Sequence, residues 1–158
     1  MNILIKSVKI IDTNSKYHNK IMDVFVKNGK IKKIAKSITN GTERKYREKN
    51  LHLSPGWFDL HANFGEPGYE QQETLSTGCN AALKGGFTGV MVMPNNKPSI
   101  DNKSMINFIQ NASKGSIIDV IPAGNITKNG KGDEIVEMHD MHRAGCKAFT
   151  DDKKSISR

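Results

Sequence analysis

Apolar and polar residues alternate through the first fifty positions in short runs that predict strands and tight turns. Ile3, Ile5, Val8 and Ile10 form one run. Val24 and Val26 form a second, which breaks at Asn28-Gly29, and Ile31, Ile34 and Ala35 resume the pattern beyond it. Asn-Gly between two apolar runs signals a two-residue hairpin, because both central residues of that turn take positive φ. Residues 40–50 are polar and charged and read as a loop or edge connection; the chain then turns apolar from Leu51 to Phe58 around Pro55-Gly56. The expected first domain is a small β-rich module over residues 1–54.

Over residues 55–158 strands alternate with helices. Strands are predicted at Trp57 to Asn63, Thr88 to Met93, Ile117 to Ala123 and Lys147 to Thr150. Helices are predicted at Gln71 to Lys84, Lys103 to Ser113 and Asp133 to Arg143, with stops at Gly85-Gly86, Gly115 and Gly145. The order βαβαβαβ implies an α/β fold whose strands pair in parallel through crossover helices. A (β/α)8 TIM-type barrel closes with eight such strands over roughly 250 residues. This segment therefore reads as the first half of one, four βα units long. The terminal DDKKSISR carries no helix cap, so the expectation is a chain that continues beyond Arg158, or a partner that completes it.

Composition changes this picture little. With 158 residues, 36% hydrophobic and 25% charged, the chain can bury one sizeable core. The net charge of +8 comes from scattered lysines without a basic stripe or interleaved aromatics, which argues against nucleic acid. The N-terminus lacks the unbroken apolar core of a signal peptide, and no window reaches the roughly 20 apolar residues of a membrane span. Cys79 and Cys146 lie far apart, outside any CxxC spacing, and read as small buried thiols. A cytoplasmic protein is expected.

The stretch with most chemistry runs from Pro55 to Glu70 and contains Asp59, His61, Asn63, Gly65 and Glu66. It resembles the dihydroorotases of the amidohydrolase superfamily, which also holds allantoinases and hydantoinases, and whose first barrel strand ends in PG(F/I)xDxHxHxREPG. Positions two apart on a strand share a face, so His-x-His at a strand end aims two imidazoles at one metal. Three further motifs follow in the family's order. Glu73-Thr74 with Gly85 to Thr88 is similar to ET…GG(F/V)T, Met93 to Pro98 to MPNTxP, and Ala144 to Asp152 to AGAxAF(S/T)DD.

Two departures fall on the chemistry. Asn63 stands where the family has its second histidine, and Gly65 where it has the arginine that clamps the substrate carboxylate. An amide oxygen is a weaker zinc ligand than imidazole, and glycine removes a bidentate grip worth about 1.5–3 kcal/mol per charge-assisted hydrogen bond.

The resemblance implies a metal site containing His61, with Asp151 as the bridging carboxylate or Lys147, if carboxylated, as the alternative bridge. The flanking Phe-Thr-Asp-Asp favours Asp151, and parity puts Lys147, Phe149 and Asp151 on one strand face. Asn95, with positions 63 and 65, falls in the substrate-binding region. Asp59 reads as support for His61 or as a packing residue. His139 and His142, three apart on the third helix, read as solvent-facing, as do His18 and His52 in the β-module.

The implied activity is zinc-dependent, reversible hydrolysis of dihydroorotate to carbamoyl aspartate in pyrimidine synthesis, impaired by Asn63 and Gly65. The implied catalytic aspartate and remaining ligands come from later strands, beyond Arg158. The alternative is a non-catalytic homologue that scaffolds a partner such as aspartate transcarbamoylase. A homo-oligomer is expected in either case, and a small cyclic amide is the ligand of the active form.

Overall fold

A computed structural model describes residues 2–39 and 44–156. The chain divides into two compact units, Met1–Pro55 and Gly56–Arg158. No helix of the described residues is long and apolar enough to cross a membrane.

In the first unit β1 (Asn2–Ile10), β2 (Ile21–Lys27), β3 (Lys30–Ala35), β4 (Arg44–Tyr46) and β5 (His52–Leu53) form one sheet. Its main order is β3-β2-β1-β4, with β5 also pairing β1 in parallel. Asn28 and Gly29 link β2 to β3 with φ of 51° and 73°, the paired positive values that the Asn-Gly signal predicts. Part of the 40–50 segment lies outside the described residues, and Arg44–Tyr46 within it supplies the edge strand β4, parallel to β1. Val8, Ile10, Met22 and Val24 form the small core.

The β1–β2 register slips between Ile5 and Val8, so that Lys6 and Ser7 together face Asp23. This is a bulge, with Ser7 at φ 52°. Asp23 is only 2% exposed and organises it: the carboxylate accepts from the Ser7 and Ile38 amides, each at 2.9 Å, and from the Lys6 ammonium. Burial alone would raise this carboxyl, but those three donors outweigh it and hold the group below the ordinary aspartate value.

The second unit carries β6 (Trp57–Ala62), α1 (Leu75–Lys84), β7 (Phe87–Val92), α2 (Lys103–Ala112), β8 (Asp119–Gly124), α3 (Met138–Arg143) and β9 (Ala148–Phe149). The strands lie in parallel in the order β6-β7-β8-β9, the arrangement of half a βα barrel. The core includes Val90 and Val92 of β7, Leu75 and Cys79 of α1, Ile106 and Ile109 of α2, and Met141 of α3. The spacing of the helical members is i, i+3 or i+4, the period that gives a helix one apolar face. Gly86, Gly115 and Gly145 follow the three helices at positive φ.

Two helices start later than expected. Residues 71–74 form a turn instead of the first turn of α1, because Thr74 caps the helix by accepting from the Thr77 amide. Residues 133–137 stay outside α3 because they hydrogen-bond elsewhere. The Lys128 amide donates to the Glu134 carbonyl and the Val136 amide to that of Ile126. Both cysteines are free and buried, and burial pushes the Cys146 thiol up.

Replacing Asp23 by asparagine is expected to destabilise the full chain by about 3 kcal/mol at neutral pH, the cost of breaking a buried, hydrogen-bonded charge pair. Because the folded carboxyl lies below its unfolded value of 3.8, its stabilisation is complete above that pH and is lost as the pH falls through the folded value. Urea unfolding at several pH values checks this. A deficit of the variant that is absent at neutral pH, or that fails to shrink in acid, would contradict it.

Candidate functional site

The residues at and just beyond the C-terminal ends of β6, β7 and β9 meet at one rim of the second unit's sheet. In parallel α/β folds this is the rim where binding residues gather. His61 is the penultimate residue of β6 and Asn63 follows that strand; Asn95 lies three residues past β7; Asp152 lies three past β9. These four side chains form one hydrogen-bonded cluster. His61 Nε2 donates to Asp152 Oδ1 at 2.7 Å. Asn95 Nδ2 donates to Asp152 Oδ2 at 2.5 Å and to Asn63 Oδ1 at 2.9 Å. Positions 61 and 63 thus converge as their spacing requires.

The cluster polarises its members. The hydrogen bond that His61 donates to Asp152, and the charge of that carboxylate, raise the His61 imidazole above its ordinary value. The His61 and Asn95 hydrogen bonds hold the Asp152 carboxyl below its own. The His61 side chain is 56% exposed while that of Asp152 is 11% exposed, so the pair opens toward solvent on the histidine side. Asp59 Oδ1 accepts from the His61 amide at 2.9 Å, which fixes the backbone that carries the imidazole.

Asp151 points elsewhere. It is 7% exposed, and its Oδ1 accepts from the amides of Ile126 and Thr127 at 2.9 and 3.0 Å and from Asn125 Nδ2 at 3.3 Å. Its Oδ2 accepts from Thr127 Oγ1 at 2.6 Å. Burial would raise this carboxyl, but the donors outweigh it and the group lies below its ordinary value. Both oxygens are thus engaged in tying β9 to the loop after β8, and it is Asp152 that stands against His61.

The resemblance of Phe-Thr-Asp-Asp favoured Asp151, and parity put it on one face with Lys147 and Phe149, but β9 ends at Phe149. A turn follows in which Asp152 takes φ 49° and the Lys154 amide donates to the Asp151 carbonyl at 3.1 Å. Alternation does not survive that turn. Paired aspartates just before two lysines were the available signal that the strand had ended. Lys147 lies before β9, exposed, at the opposite end of the strand from the cluster.

Gly65 has a backbone reason of its own. The Tyr69 amide donates to the Gly65 carbonyl at 2.7 Å, and a Cβ at residue 65 would meet the Tyr69 and Glu73 carbonyl oxygens at 2.3 and 2.9 Å. An arginine would fit there only if the 65–73 turn moved. A cavity of about 340 Å³ opens beside it, lined by Asn63, Gly65, Tyr69, Glu73, Asn95 and Lys153 among others. The histidines of α3 stay apart from the rim, where His142 Nδ1 lies 3.1 Å from the Cys146 carbonyl.

As a metal site the cluster is partial. A zinc ion about 2 Å from each of two tetrahedral ligands holds them roughly 3.3 Å apart. His61 and Asp152, at 2.7 Å, need only separate slightly to admit one. Among the described residues no third His, Cys, Asp or Glu joins them.

The family described as dihydro-orotase-like matches residues 51–158. The dihydroorotases of Aquifex aeolicus and Geobacter sulfurreducens are each 38% identical to this chain, over 99% of its length and 37% of theirs. The chain therefore spans little more than a third of these curated relatives. Among solved structures, an L-hydantoinase (dihydropyrimidinase) from Arthrobacter aurescens matches with a TM-score of 0.67 at 18% identity, over 93% of this chain and 32% of that one. A dihydroorotase crystal structure matches with a TM-score of 0.65 at 12% identity, over 94% and 41%. The structures establish a shared fold, and the family match, with sequence identity along nearly the whole of this chain, establishes kinship: this chain belongs to the dihydroorotase-like family.

Proposed function

We propose that the protein carrying this chain is a cyclic amidohydrolase that reversibly hydrolyses dihydroorotate to carbamoyl aspartate, the ring-closing chemistry of pyrimidine synthesis, in the cytoplasm. The observation that supports this most is the convergence of His61, Asp152, Asn95 and Asn63 at the C-terminal rim of a half-barrel.

His61 and Asp152 are the residues suited to hold a divalent cation, zinc by family resemblance. That ion, when bound, supplies an activated water and polarises a ring carbonyl. The chain's own groups do the rest. Without the ion, Asp152 holds the imidazole of His61 in orientation; with it, the Nε2 and Oδ1 atoms now paired would turn to the metal instead. Asn95 spends both amide hydrogens inside the cluster, leaving its carbonyl oxygen free to accept from a ring N–H. It can grip a carboxylate only by releasing one of those bonds.

A second reading, a non-catalytic homologue that scaffolds a partner such as aspartate transcarbamoylase, is favoured by Asn63. An amide at that position is a poor metal ligand and is already occupied as an acceptor for Asn95. Homo-oligomerisation accords with either reading.

In the intact protein, Asp152→Asn is expected to abolish metal binding and turnover while costing about 1 kcal/mol of stability, the worth of its hydrogen bonds to His61 and Asn95. Asp151→Asn is expected to cost about 2–3 kcal/mol of stability by leaving buried donors mispaired. Elemental analysis paired with denaturant unfolding separates the two, and the reverse pattern would return the ligand role to Asp151. Asn63→His is expected to raise zinc affinity at least about tenfold, roughly 1.4 kcal/mol. Titration against a chelator measures it. Wild-type protein that takes up no zinc and turns over no dihydroorotate excludes the enzyme reading, and association with a transcarbamoylase would then carry the second.

A further inference from the structure

The rim needs a cation for an acidic substrate, and residue 65 cannot supply one. Gly65 is side-chainless and closed over by the Tyr69 turn. Both amide hydrogens of Asn95 are taken. Among the described residues lining the 340 Å³ cavity beside Gly65, Lys153 is the one cation. It also lines the adjoining cavity of about 330 Å³, with Tyr69, Asn95 and Asn96. Both volumes fall within the range of about 300–1,000 Å³ ordinary for small-molecule sites.

Lys153 is placed by a rigid root. It sits in the turn that the Lys154 amide closes onto the Asp151 carbonyl, and Asp151 is fixed by four hydrogen bonds to residues 125–127. Its neighbour Asp152 is already engaged by His61 and Asn95, and no ion pair within 4.0 Å joins Lys153 to a carboxylate among the described residues. Glu73, the acidic group lining the cavity beside Gly65, accepts from the Thr77 hydroxyl.

We propose that Lys153 is the positioning residue that binds the carboxylate of the acidic cyclic amide, supplying from the loop after β9 the positive charge that Gly65 cannot supply from the loop after β6. This rests on the cyclic-amidohydrolase reading. An ammonium makes a point contact where a guanidinium would make a fork, so affinity survives while orientation is less tightly specified.

The test compares Lys153→Met, Lys153→Arg and Lys84→Met in the intact protein, using dihydroorotate and its carboxylate-free analogue dihydrouracil. Lys153→Met is expected to raise KM for dihydroorotate about ten- to hundredfold with kcat within a few fold. Any dihydrouracil turnover should stay as it was. Lys153→Arg should retain most of the affinity, and Lys84→Met, at the end of α1 and outside both cavities, nearly all of it. Unchanged KM in Lys153→Met, in an enzyme that turns over dihydroorotate, overturns the role of Lys153 and leaves the enzyme reading intact. If the wild type shows no turnover, calorimetric binding of dihydroorotate decides: binding lost in Lys153→Met supports the assignment without the hydrolase, and binding that is absent or indifferent to the substitution overturns it.

Discussion

The buried carboxylate of Asp151 is the constraint from which the candidate site hangs. It lies beyond the last strand of the parallel sheet, yet all its hydrogen bonds go to residues 125–127, beyond the strand before it. A buried charge stripped of its partners costs several kcal/mol, so the two loops are held as one piece. The turn that carries Asp152 and Lys153 closes on the Asp151 carbonyl. A residue outside the cluster therefore sets where the cluster's carboxylate stands.

That division of labour explains what the sequence could and could not disclose. The strand and helix order was legible because the period of apolar positions is local, and the glycine stops were legible because positive φ is a local demand. The late starts of α1 and α3 were not, since residues 71–74 and 133–137 have helix-compatible composition but spend their backbone groups on a cap and on the 126–128 loop. Where the side chains past Phe149 point was not legible either, for a related reason. Parity orders side chains only while a strand lasts, and β9 is two residues long. The Lys6–Ser7 bulge around Asp23 was likewise invisible, because the partner strand that defines it lies sixteen residues on from Ser7.

Read as letters, Asn63 and Gly65 are losses. In the folded chain each position is re-employed. The Asn63 carbonyl oxygen accepts from Asn95 and so helps hold the loop after β7 against β6. Gly65 lets the Tyr69–Glu73 turn approach its backbone to a distance that no side chain would allow. A reversion at 65 is therefore a change of loop as well as of charge, whereas one at 63 exchanges one planar, polar side chain for another. The two substitutions are unequal in what they close off.

The charge around the rim completes the argument. His61 and Asp152 offset each other, Asp151 is satisfied by neutral donors, and Glu73 is engaged by Thr77. Lys97, Lys153 and Lys154 line the cavity at the rim and, among the described residues, have no ion-pair partner within 4.0 Å. Unpaired like charges around a concave wall raise the local concentration of anions, an effect that reaches about one Debye length, near 8 Å at physiological salt. Lys97, Lys153 and Lys154 bias this wall toward small anions, and the carboxylates of Asp151 and Glu73, hydrogen-bonded but still charged, limit that bias.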